Sequence, residues 1–152
     1  MPEIALDFRA RDYVTDLGTA VRSLRAFLTI EIGSVRPLCF LDTGAPFSIV
    51  SHSVAQRIDW RLLGNALFHQ GKPAPLDWQQ VPCDFGETDI VLLDPFGTSR
   101  TAACRLVGKF AKSRHPVLEN YVLLGMNFLL DNNIALTLHG TPEMPQGLLS
   151  VP

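Results

Sequence analysis

Charge is what this chain has little of. Charged residues fill 18% of its 152 positions, and thirteen Lys and Arg stand against fifteen Asp and Glu, a formal charge of −2 with no long run of either sign. The electrostatic footprint of a nucleic-acid or anionic-membrane binder is therefore missing. Arg9, Arg11, Arg22 and Arg25 are separated by acids and apolar residues, as on a solvated face. Cysteine is scarce too. Cys39, Cys83 and Cys104 are odd in number and form no Cys-x-x-Cys pair, which argues against a disulfide framework and a thiolate zinc site. Cys39 and Cys104 fall inside apparent strands and read as buried reduced thiols, not as nucleophiles. His52, His69, His115 and His139 include no i, i+4 pair and no cysteine neighbour, so no metal site is expected. No apolar run approaches the ~20 residues that cross a bilayer, and the opening MPEIALDFRARDYV has no basic segment followed by an apolar stretch. The expectation is a soluble, cytoplasmic protein with neither a membrane nor a nucleic acid as partner.

What the chain does have is apolar residues, 47% of the total, enough for one core and, at this length, one domain. That domain is expected to span 1–152, with its core at about 27–140, an extension at 1–26 and a tail at 141–152. Long helical periodicity is almost absent and alternation dominates, which predicts a mainly β fold with one or two short helices. Leu28, Ile30 and Ile32 alternate with Phe27, Thr29 and Glu31; Gly33-Ser34 supplies a turn, and Leu38 to Leu41 completes a hairpin. Ser53 with Gln56 resembles a capping box ahead of a short helix. Gly64 to Pro82 carries Gly71, Pro73 and Pro75 with little periodicity, as a loop or long hairpin does. Ile90 to Leu93 and Thr101 to Val107 are expected to pair through the turn Asp94-Pro95-Phe96-Gly97. Tyr121 to Leu124 reads as a strand closed by Gly125, a short helix follows from about Asn127 to Asp131, and Ile134 to Leu138 is the last clear strand.

The chemistry concentrates in Leu41-Asp42-Thr43-Gly44-Ala45-Pro46-Phe47-Ser48-Ile49-Val50. An acid at the end of an apolar strand is costly unless it is paired, hydrogen-bonded or employed. Gly44 lets the backbone turn tightly, and Ser48 returns a hydroxyl just before Ile49-Val50. Read from the residues, this is a carboxylate presented on a tight loop between two strands, or an ordinary Asp-x-Gly turn whose side chain bonds local amides.

The stretch resembles the active-site loop of aspartic proteases: apolar residues, Asp-Thr/Ser-Gly, Ala/Ser, two variable residues, then Ser/Thr and apolar residues. Leu123-Leu124-Gly125-Met126-Asn127-Phe128-Leu129 is similar to the apolar-apolar-Gly segment near the carboxy terminus of retroviral-type members, and the order along the chain agrees. The layout is similar from about Phe27 to Leu138. This resemblance to the retropepsin-like family implies an acid-protease fold, a closed β-barrel-like half that functions as a C2 homodimer. Asp42 would be the catalytic aspartate. The mechanism requires two carboxylates that share a proton, yet no second Asp-Thr/Ser-Gly occurs, so the second must come from an identical chain. Thr43 would bond across the axis, Gly44 would admit substrate backbone, Ala45 belongs to the same loop, and Ser48 would bond Asn127, joining the loop to Leu124-Gly125. No metal or organic cofactor is implied.

The family also implies an extended peptide or unfolded protein as substrate, covered by a flap. The candidate flap lies between Leu67 and Gln80, with Gly71 and Trp78 as its marked residues, though it carries Pro73 and Pro75 in place of a glycine-rich tip. Two readings follow: an aspartic endopeptidase, or a catalytically weak or inactive module of the same fold that binds peptides or dimerises.

Overall fold

The structure, a computed structural model, describes residues 2–65, 82–97, 99–114 and 119–152. The described residues form β1 (Glu3–Ala5), β2 (Asp7–Val14), β3 (Ala20–Glu31), β4 (Leu38–Leu41), β5 (Ser48–Val50), α1 (His52–Ala55), β6 (Arg61–Asn65), β7 (Cys83–Leu93), β8 (Thr101–Ala111), β9 (Tyr121–Leu124), α2 (Met126–Asp131), β10 (Ala135–Gly140) and β11 (Pro145–Ser150). The fold is mainly β with short helices, as the alternation predicts.

Eight strands form one sheet in the order β2-β3-β4-β9-β5-β8-β7-β6, and three form a second in the order β1-β11-β10. A further ladder, Thr29↔Leu93 to Glu31↔Val91, joins β3 to β7, so hydrogen bonding returns from the far side of the large sheet to its start. The expected hairpins are present. β3 and β4 pair antiparallel through Phe27↔Phe40, with an Ile32↔Val35 bridge at the turn. β7 and β8 pair from Cys83↔Ala111 to Leu93↔Thr101. In their turn Gly97 has φ +80°, a left-handed conformation suited to glycine.

β9 explains why the acidic loop is held firmly. It lies inside the sheet, parallel to β4 on one side and antiparallel to β5 on the other, and all four of its residues are buried. A strand enclosed on both faces must be apolar throughout, and Tyr121-Val122-Leu123-Leu124 is. The main core gathers Leu28, Ile30 and Ile32 of β3 and its edge, Leu92, Leu106, Phe110, Leu124 and Phe128.

Two expectations are revised. The core extends beyond 27–140: Ile4, Leu6, Leu149 and Val151 are buried members of it, because β11 pairs on one side with β1 and on the other with β10. The terminal strands thus pair within the chain. The capping box does not form. α1 starts after Ser51 without a side-chain cap, because both hydroxyls serve the entry to β9: Tyr121 N–H donates to Ser51 Oγ at 2.9 Å and Asn120 N–H to Ser53 Oγ at 2.8 Å. Leu138 alternates with Leu136 as the sequence pattern predicts and is 60% exposed; the two line a cleft beside the acidic loop.

Candidate functional site

Asp42 stands just past the end of β4, where its N–H donates to Leu124 O at 2.9 Å and continues the parallel ladder by one bond. The chain then turns: Ala45 N–H bonds Asp42 O at 3.1 Å, and Gly44 N–H donates to Asp42 Oδ1 at 2.9 Å. This is the Asx geometry of a tight turn. Asp42, Thr43 and Gly44 are exposed.

An ordinary turn needs nothing more, but this one is bolted to the chain about eighty residues on. Ser48, fully buried, donates from its N–H at 2.8 Å and from its hydroxyl at 3.0 Å to Asn127 Oδ1. The same hydroxyl accepts from Gly125 N–H at 3.0 Å. Met126 N–H donates to Ala45 O at 2.8 Å, and Asn127 Nδ2 donates to Val107 O at 2.7 Å. Three segments, 42–48, 107–108 and 124–127, are thereby fixed to one another with their buried polar groups satisfied, which is the condition for a rigid buried network.

Glycines allow that approach. A Cβ at Gly125 would sit 2.7 Å from Ala45 O and 2.7 Å from the Phe47 carbonyl carbon, and one at Gly108 would lie 2.8 Å from the Ser48 carbonyl carbon. Any side chain at either position would push the backbones apart. Phe47 closes the end of the loop, packing edge-on to Phe85 with ring centroids 5.4 Å apart and Lys109 Nζ 5.3 Å from its ring.

Asp42 and Thr43 open onto a cleft of about 520 Å³ whose walls include Arg25, Phe40, Leu136 and Leu138. Arg25 sits 5.6 Å over the Phe40 ring, and Phe40 packs on Tyr121 at 4.4 Å. Burial pushes the Tyr121 hydroxyl pKa up; the Arg25 charge opposes this and the Asp42 charge adds to it. Both charges are thus felt at one phenol beneath the cleft.

Of the residues singled out from the sequence, the structure brings together Asp42, Thr43, Gly44, Ala45, Ser48, Leu124, Gly125 and Asn127. Gly71 and Trp78, with the rest of the flap candidate, lie outside the described residues, as do His69 and His115. Arg25, read as part of a solvated face, is exposed but also lines the cleft. Gly108, Val107, Leu136 and Leu138 were not anticipated. A glycine inside the strand pattern of β8 was the available signal for Gly108, since it marks close backbone approach; a backbone carbonyl such as Val107 O leaves no trace in sequence.

Among the described residues no group of three or more His, Cys, Asp or Glu is placed to hold a metal ion, and no helix is long and apolar enough to cross a membrane. Cys39 and Cys104 are buried free thiols. No family model matches the chain, and no curated protein does. Among solved structures, a retropepsin-like aspartic protease from Rickettsia conorii aligns over 95% of this chain and 94% of its own, at 12% identity and a TM-score of 0.45.

Proposed function

We propose that this protein is a retropepsin-like aspartic endopeptidase that works as a symmetric homodimer, with one Asp42 from each protomer. The observation that supports it most is the bolt of Ser48 to Asn127 and Gly125, which holds an exposed carboxylate rigid at the end of two parallel strands. Rigidity of that kind serves a group that must meet a partner at fixed geometry.

In an isologous dimer equivalent residues face each other across the two-fold axis. Two Asp42 carboxylates beside that axis hold a water between them and, being so close, do not both ionise. The ionised carboxylate takes a proton from the water as its oxygen adds to the scissile carbonyl carbon, while the protonated one gives its proton to the carbonyl oxygen. Collapse of the resulting diol breaks the C–N bond, and the amine leaves with a proton from the dyad. In this dimer Thr43, exposed beside Asp42, bonds across the axis and holds the two loops together. The substrate is an extended peptide or unfolded protein, and no metal or organic cofactor takes part.

The test is cleavage of an unfolded protein by wild type and Asp42→Ala from acidic to neutral pH, with sedimentation in parallel. Cleavage lost in Asp42→Ala supports the peptidase; a dimer without Asp42-dependent cleavage means a peptide-binding or dimerisation module instead.

A further inference from the structure

β2 and the first half of β3 form an arm. Asp7↔Phe27 through Val14↔Ala20 are paired in register, and the tip is well made: Gly18, at φ +79°, donates to Thr15 O, and Thr15 N–H donates to Thr19 O, both at 2.9 Å. Beyond Phe8 every residue of β2 is exposed, and so are Ala20 to Ser23. At the root Phe8 and Leu24 share a cleft with the β10–β11 turn, His139 to Gln146; a two-stranded ribbon alone is marginally stable in water, yet this one carries apolar side chains to its end, with Val14 75% and Leu17 88% exposed.

Those side chains are sorted by face. The register and the two-residue alternation place Phe8 with Ala26, Ala10 with Leu24, and Val14 with Ala20 on one side. The interruption is Asp12 with Arg22, and that pair neutralises itself at 2.9 Å. At its root the face turns into the cleft of Asp42 and Thr43, which Phe8, Leu24 and Ala26 help to line. From there it extends roughly 15 Å, at about 3.3 Å per residue.

We propose that the arm is a clasp for a second copy of this chain, its apolar face lying on the partner subunit. The clasp rests on the homodimeric peptidase reading: half a dyad opens onto the cleft, the site is incomplete without the partner, and the arm's root borders the place where the axis must pass. The neutral, apolar character of the face matches a surface of the same protein better than a charged ligand.

Two full-length variants test this. In one, residues 13–21 are replaced by Asn-Gly, which joins the paired Asp12 and Arg22 through a two-residue hairpin turn; the other is Val14→Asp with Leu17→Asp, both at exposed positions. The clasp predicts that each raises the dimer dissociation constant at least about tenfold, leaves the melting temperature of the dilute monomer unchanged, and reaches wild-type kcat once concentrated enough to dimerise. In wild type, the amides of 10–14 and 20–24 gain hydrogen-exchange protection on dimerisation. Wild-type dimer affinity in both variants overturns the clasp, as does arm exchange indifferent to dimerisation, or a raised KM with dimer affinity intact, which makes peptide the occupant. Asp42-dependent cleavage with an arm-indifferent dimer removes the clasp and keeps the peptidase; an arm-dependent dimer that cleaves nothing does the reverse. A wild type monomeric at every concentration removes both.

Discussion

Asn127 Oδ1 accepts two hydrogen bonds from Ser48, one from its backbone N–H and one from its hydroxyl, across 79 positions of sequence. The relationship ties the acidic loop to the segment that follows β9. Asn127→Ala strands the Ser48 N–H and Val107 O in a part-buried site, at a cost of about 1–3 kcal/mol for an unsatisfied buried group. Urea unfolding of the single and double variants with Ser48→Ala measures it, and the two changes should be non-additive by at least about 0.5 kcal/mol, as residues of one network are.

Gly125→Ala is expected to be worse than its single methyl suggests. The new carbon meets backbone atoms of Ala45 and Phe47 at 2.7 Å, and backbone yields less readily than a side chain. Overpacking costs typically about 1–3 kcal/mol, and here the displaced segment carries Asp42. Thermal unfolding with activity on the same samples should show activity falling further than the folded fraction.

The three thiols should differ in reactivity. Burial pushes Cys39 far up and holds Cys104 at about 11, while Cys83, raised less, is half-buried. Thiolate is the reactive form, so brief iodoacetamide treatment at pH 8 should label Cys83 first and leave Cys39 intact, as read by peptide mass spectrometry.

The same shifts give stability a sign at alkaline pH. An unfolded thiol ionises near its ordinary value of about 8.5, while Cys104 in the native state stays neutral until about 11. Below the unfolded value both states hold the proton and nothing is lost. As pH rises between the two, only the unfolded state releases its proton and native stability falls. Urea midpoints from pH 8 to 11 should decline, and Cys104→Ala should flatten part of that slope.

The fold was legible where one face of a strand is buried. Leu28, Ile30 and Ile32 announce β3, and Asp94-Pro95-Phe96-Gly97 marks the hairpin of β7 and β8, because period and turn chemistry are local. The termini read as an extension and a tail for the same reason: Ile4 and Leu149 become core only through the pairing of β1 with β11, a contact between the two ends of the chain. The candidate site was legible as two motifs, and the bond between Ser48 and Asn127 was anticipated from their resemblance to a known family. The cleft walls were not, since Leu136 and Leu138 look like core residues until the neighbouring strands are in place.

Subunit mixing distinguishes an active site shared between two chains from one complete in a single chain. Wild type at fixed concentration, well above its dimer dissociation constant, is combined with about nine parts of Asp42→Asn and allowed to exchange subunits. If each site needs both aspartates, random pairing puts about nine in ten wild-type chains into dead heterodimers, and peptide cleavage per wild-type chain falls about tenfold. Cleavage per wild-type chain that stays constant would place a complete site within one chain and overturn the shared dyad.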